Sequence, residues 1–148
     1  GQEEARIRRM LEEHPVEHLE WHSWVSYADL IEWIRRADVC LGIFDDGPKA
    51  QRVLPYKVYY YLALGRPTVT AATASSQRIG AECEDASMPP PLLLVPPGNP
   101  EALALKLRGL RDNRDELART GSAGRDYFRR VLSDPAIKKS LQELITVA

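Results

Sequence analysis

Cysteine is scarce in this chain: Cys40 and Cys83 are the only two in 148 residues, too few for the disulfide framework of a small secreted scaffold. Cys40 lies inside an apolar run and reads as a buried small hydrophobe. Long hydrophobic runs are missing too. None approaches the ~20 residues of a membrane span, and no secretory leader is visible. The formal net charge is −1, so no basic field exists to hold nucleic acid or an anionic membrane. Glycine is thin at 9 residues and nowhere forms a dinucleotide or ATP fingerprint, which leaves a nicotinamide or ATP site without support. The expectation is a cytoplasmic protein with no cofactor and no metal. An initiating Met is also lacking, and a chain that begins at Gly1 is expected to be a piece of a longer protein.

What is present is ordinary globular material: 44% hydrophobic and 28% charged residues, enough to bury one domain-sized core over 1–148. Ala5, Ile7, Met10 and Leu11 make residues 2–14 an amphipathic helix that stops at Pro15. Residues 18–25 alternate and suit a strand. Ser26 with Asp29 three residues on opens a second helix, whose stripe is Tyr27, Leu30, Ile31 and Ile34. The continuous apolar run Val39–Phe44 is a strand of the kind covered on both faces. A loop from Asp45 to Leu54 then leads to a helix starting at Pro55 and ending at Gly65.

Residues 68–70 form a short strand, 72–91 read as loop, and 92–95 form a further strand. Asn99-Pro100-Glu101 opens a helix carrying Leu103, Leu107 and Leu110. Another helix spans 114–131 with Leu117, Gly121, Gly124, Phe128 and Val131 on one side. The last starts near Pro135 and presents Ile137, Leu141, Leu144 and Ile145. Helices alternating with apolar strands predict an α/β fold with a doubly wound parallel sheet, Rossmann-like, lacking some upstream strands. No internal repeat or boundary is visible. His14, His18 and His22 recur every four residues, but Pro15 breaks any helix joining them, and they read as ordinary histidines rather than metal ligands. Ser75-Ser76 reads as a helix cap.

In an open parallel sheet, ligands sit beyond the carboxyl ends of the strands. The loop after Val39–Phe44 therefore holds the first candidates: Asp45, Asp46, Lys49, Arg52 and, in the first turn of the next helix, Lys57. A lysine there opposes the partial positive charge of the helix amino end. Free amides plus Lys57 and Arg52 would hold a phosphate well. Lys57 could equally pair with Asp45 or Asp46, and the residues alone leave the two readings level.

The segment Ala37–Phe44, followed by Pro55-Tyr56-Lys57-Val58-Tyr59-Tyr60-Tyr61-Leu62-Ala63-Leu64-Gly65-Arg66-Pro67, resembles the donor-site signature of GT-B retaining glycosyltransferases. That family's pattern is an apolar strand, a loop, then Pro-x-Lys-x-x-Glu-Tyr-x-Ala-x-Gly-x-Pro. Leu94 to Ala104 resembles its later strand–loop–helix step, and Ala118 to Arg125 the segment before its terminal helix. Trp21–Val25 and Asp29-Leu30 sit where it has a short strand and a helix. The resemblance implies half of a GT-B fold, the carboxyl-terminal domain that binds a UDP- or GDP-sugar. The acceptor would lie on a missing amino-terminal domain, and peripheral membrane association of the full-length enzyme is allowed. It places Lys57, with Arg52 as a weaker candidate, on the donor diphosphate. Asp45, Asp46 and Gly47 would face the sugar.

One position departs from the family. The glutamate three residues after the lysine is Tyr60 here, and its counterpart eight residues earlier is Arg52. A phenol cannot chelate two ribose hydroxyls as a carboxylate does. That departure keeps open a non-catalytic scaffold module that retains the fold. A dehydrogenase-like Rossmann domain is the third reading, and the missing glycine fingerprint argues against it.

Overall fold

The computed structural model describes residues 3–147, with no side chain described at 141 or 143–147. Leu141, Leu144 and Ile145 of the expected last stripe therefore lie outside the described side chains. The chain divides into two compact units, Gly1–Glu32 and Trp33–Ala148.

The first unit holds α1 (Glu4–Glu13), an extended stretch, and the start of α2 (Tyr27–Arg36). No described residue in it is buried. Ser26 caps α2 as its sequence foretells: the Asp29 amide donates to Ser26 Oγ at 3.1 Å and that hydroxyl donates to the Asp29 carboxylate at 2.6 Å. The strand expected over 18–25 does not form. A strand needs a neighbour to take up its backbone groups, and residues 18–24 are all exposed. The segment turns at His18, whose φ is 61°. Arg8 instead stacks its guanidinium over Trp21, 5.8 Å from the ring centroid.

The second unit contains the core. Three parallel strands, β1 (Cys40–Leu41), β2 (Thr68–Ala71) and β3 (Leu93–Val95), lie in the order β1-β2-β3. Cys40 pairs with Thr68, and Val69 with Leu93. Backbone bonds extend the β1 edge past its formal end: Gly42 N donates to Val69 O and Ala71 N to Ile43 O, both at 2.8 Å. All of β2 is buried. Alternation sends its side chains to two faces. Val69 joins Val95, Leu110 and Leu117 on one, while the other is filled by Val58, Leu62, Ile79, Cys83, Leu92 and Tyr127. Covering both faces is what defines the Rossmann-like α/β layering.

Four helices supply the cover: α4 (Tyr56–Ala63), α5 (Ala74–Asp85), α6 (Pro100–Arg111) and α7 (Arg114–Tyr127). The last turn of α7 widens into a π-helical segment, Phe128–Leu132, before α8 (Asp134–Val147). That widening rotates the predicted stripe: Tyr127 is buried and Val131 is exposed. Asn99 and Asn113 cap α6 and α7 through their side-chain oxygens at 2.9 and 3.1 Å. Cys40 and Cys83 are free and buried.

Two segments read as loop are helical. Pro48–Arg52 forms a short helix, α3, with Pro48 in its first turn, and Pro55 becomes the cap of α4 rather than its first residue. The larger miss is α5. Its start is a reciprocal box in which Thr73 N donates to Ser76 Oγ at 2.9 Å and Ser76 N to Thr73 Oγ1 at 3.4 Å. Ser76 Oγ also reaches Ala71 O at 2.7 Å, tying the helix to the end of β2. Because both groups are buried, Thr73→Ala should lower the unfolding free energy by about 1–2 kcal/mol. Thr73→Ser should keep most of it, a difference readable as a shift of the urea midpoint at constant slope.

The turn from α4 into β2 depends on glycine. Arg66 N donates to Tyr61 O at 2.8 Å and Gly65 N to Leu62 O at 2.9 Å, a Schellman ending. Gly65 has φ +64°, a conformation that side chains resist. α7 crosses this turn at Gly121, where a Cβ would overlap the Gly65 carbonyl oxygen.

Candidate functional site

The carboxyl edge of the sheet is built from the loops after the three strands. After β1, Asp45 folds back so that its Oδ1 accepts the Gly47 amide at 3.2 Å. This Asx turn fixes the entry to α3. The loop after β3 closes onto it: Gly98 N donates to Phe44 O at 2.8 Å. Asp46 Oδ2 lies 3.3 Å from where a Cβ on Gly98 would stand. From the loop after β2, the Ala74 amide donates to Gln51 Oε1 at 3.2 Å, linking α3 to the start of α5. Asp45, Asp46 and Gly47 are thus gathered with Gly98 at one edge. Sequence reading did not single out Gly98 or Gln51, and nothing in the pattern marks a contact between loops fifty residues apart. Thr73 and Ser76 carried a signal, the spacing of a capping box.

Lys57 occupies the first turn of α4. Pro55 offers no side-chain cap, so the first amides of α4 have no side-chain acceptor and add to the positive end of the helix. Among the described residues Lys57 has no hydrogen bond and no ion pair, and neither Asp45 nor Asp46 reaches it. The residue is exposed overall, yet desolvation about its ammonium holds its pKa below the usual lysine value, opposed by the nearby Cys40 thiol. Burial pushes that thiol up to about 11, against the pull of Arg66 and Lys57.

The other two candidates each line a cavity. Arg52 ends α3 and lines a cavity of about 300 Å³ with Ser75, Arg78 and Tyr127. Tyr60 lines a separate, apolar cavity of about 370 Å³ with Tyr56, Ala63, Phe128 and Leu132, its ring edge-on to Tyr56 at 5.2 Å. Lys57 lines neither. Of the histidines, His14 ends α1, His18 sits in a turn and His22 lies 3.4 Å from Glu20. Among the described residues no three metal-binding side chains converge, and no helix is long and apolar enough to cross a membrane.

A parallel sheet covered by helices, with its loops gathered at the carboxyl edge, defines a Rossmann-like half of the GT-B type. The chain belongs to the family glycosyl transferases group 1, whose model matches residues 1–113. Among solved structures it is similar to sucrose-phosphate synthase from Thermosynechococcus elongatus, with 19% identity and a TM-score of 0.71. That match covers all of this chain and 36% of the other, so this chain spans about a third of that enzyme's length. At this identity the likeness is one of fold. No curated protein matches the chain.

Proposed function

We propose that this chain is the donor-binding half of a glycosyltransferase, holding the diphosphate of a UDP- or GDP-sugar at the carboxyl edge of the sheet while a separate amino-terminal domain holds the acceptor. The observation that carries this reading is Lys57: a partly desolvated ammonium, without a carboxylate partner, at an uncapped helix start. Each of those conditions disfavours the free charge, and one diphosphate relieves all of them. Family membership and the share of the synthase covered support the division into halves. As the bond from sugar to phosphate breaks, negative charge grows on the leaving diphosphate. Lys57 and the first amides of α4 meet that charge without having to reorganise. Asp45, Asp46 and Gly47, held by Gly98, would border the sugar.

A second reading, a scaffold that keeps the fold and has lost the donor site, draws on Tyr60. The position where the family has its ribose-binding glutamate faces an apolar cavity here. Calorimetric titration of the chain with UDP, GDP and NAD separates the readings. UDP or GDP should bind and NAD should not. If neither UDP nor GDP produces heat, the scaffold reading stands; NAD binding alone would restore the dehydrogenase reading.

A further inference from the structure

The opposite edge of the sheet, where the strands begin, carries a second concentration of positive charge. A cavity of about 380 Å³ there is lined by Arg35, Ala63, Leu64, Arg66, Arg125 and Arg129, with no carboxylate among them. What orients the guanidinium groups is backbone. Arg66 Nη1 donates to Arg35 O at 2.8 Å and to Ala37 O at 3.3 Å, and Arg125 Nη2 donates to Leu64 O at 3.1 Å. Carbonyls at helix ends position a guanidinium and offset part of its charge, about half an elementary charge per helix, which leaves the arginine cluster net positive. Arg66 Nε is buried with no hydrogen-bond partner among the described residues.

Arg129 follows Arg125 by one helical turn, and its side chain has no hydrogen bond or ion pair among the described residues. The neighbouring acid, Asp38, is taken by Arg114 at 2.5 Å. Gly65 makes the arrangement possible: a Cβ there would stand 2.6 Å from Arg125 Nε, so only glycine lets that guanidinium lie against the turn.

We propose that Arg66, Arg125 and Arg129 form a binding site for a phosphomonoester anion at the amino-terminal edge of the sheet, away from the donor edge. Three arginines lining one cavity offer, beyond the N–H groups held by carbonyls, further donors that suit a tetrahedral dianion, and the volume admits a small soluble phosphate ester. The site does not depend on the donor reading, since no residue is shared with Lys57 or its loop.

The test is an amide NMR titration of the whole chain with inorganic phosphate and glycerol phosphate at constant ionic strength. Shifts should cluster at residues 63–66 and 125–129. Arg129→Gln, which removes no bond that holds the fold, should weaken binding about tenfold, with Arg129→Lys intermediate. Lys57→Ala should leave these shifts unchanged. Shifts confined to residues 45–58, an affinity unmoved by Arg129→Gln, or no shift at all would overturn the site. Binding only to vesicles carrying phosphatidic acid, without response to the soluble esters, would overturn the soluble ligand.

Discussion

Lys57→Ala should cut the affinity of the chain for UDP or GDP about 10- to 100-fold, the worth of one charge-assisted hydrogen bond to phosphate. The unliganded protein should not suffer. Lys57 gives up no ion pair in the change, and it leaves a helix amino end where a cation is unfavourable by about 0.3–1 kcal/mol. Lys57→Met should therefore raise Tm by about 1–3 °C while weakening nucleotide binding as far as Lys57→Ala does. A residue that merely stabilised the fold would show the reverse, with Tm falling and affinity unchanged.

pH supplies an independent check on the same lysine. Its folded pKa is depressed below 10.5, so the folded state holds its proton less tightly than the unfolded one. The cost to folding is present at neutral pH and is relieved as pH rises through the folded pKa toward 10.5. Nucleotide affinity should run the opposite way, falling as the ammonium deprotonates, with a midpoint below 10.5. Calorimetry across pH 7–11 with wild type and Lys57→Ala reads this directly: the variant should lose the alkaline fall that the ammonium contributes. A wild-type affinity flat over that range would remove Lys57 from the diphosphate.

Gly121→Ala should be strongly destabilising. The added carbon would overlap the Gly65 carbonyl oxygen and lie 3.4 Å from Pro67 Cδ. Neither obstacle can swing aside, because the first is backbone in a Schellman turn and the second is a ring fixed before β2. Relief requires α7 to lift from the turn, which also loosens Leu117 and Tyr127 in the two halves of the core. Overpacking of this kind costs about 1–3 kcal/mol and sometimes more; here the upper end is expected, a Tm loss of about 6–10 °C. Gly109→Ala is the control. Its Cβ would meet nothing within 4 Å, and alanine is the better helix former, so Tm should hold or rise.

Part of the candidate site is legible in the sequence. Lys57 stood out because a cation at a helix start needs a reason, and the motif from Pro55 to Pro67 supplied one. The gathering of Asp45, Asp46 and Gly47 against Gly98 was not legible, because the hydrogen bond from Gly98 N to Phe44 O joins loops remote in sequence. The surroundings of Arg52 were not legible either. Its charge type suited the same anion, but the unforeseen α3 sets it in a cavity with Ser75 and Arg78.

Elements that carry their own signals were settled by the residues alone. The caps at Ser26 and Asn99, the glycine ending at Gly65 and the apolar run 92–95 each satisfy local backbone needs or bury an apolar strip, whereas the run Val39–Phe44 keeps only Cys40–Leu41 as strand and leaves Leu41 exposed, because β1 lies at the sheet edge. Such requirements act over a few residues and are written there. Tertiary structure decided what depends on a partner. Residues 18–25 alternate as a strand should, yet with no neighbouring ladder they turn at His18, form no strand and leave 18–24 exposed. Residues 74–85 look unpatterned, yet they become a helix because Thr73 and Ser76 lock its start and Ile79 and Cys83 find a core to enter. Arg66, Arg125 and Arg129, scattered over sixty residues, acquire a common cavity only when α7 crosses the turn at Gly65. Backbone propensity is a local free energy; burial and charge proximity belong to whatever the folded chain brings alongside.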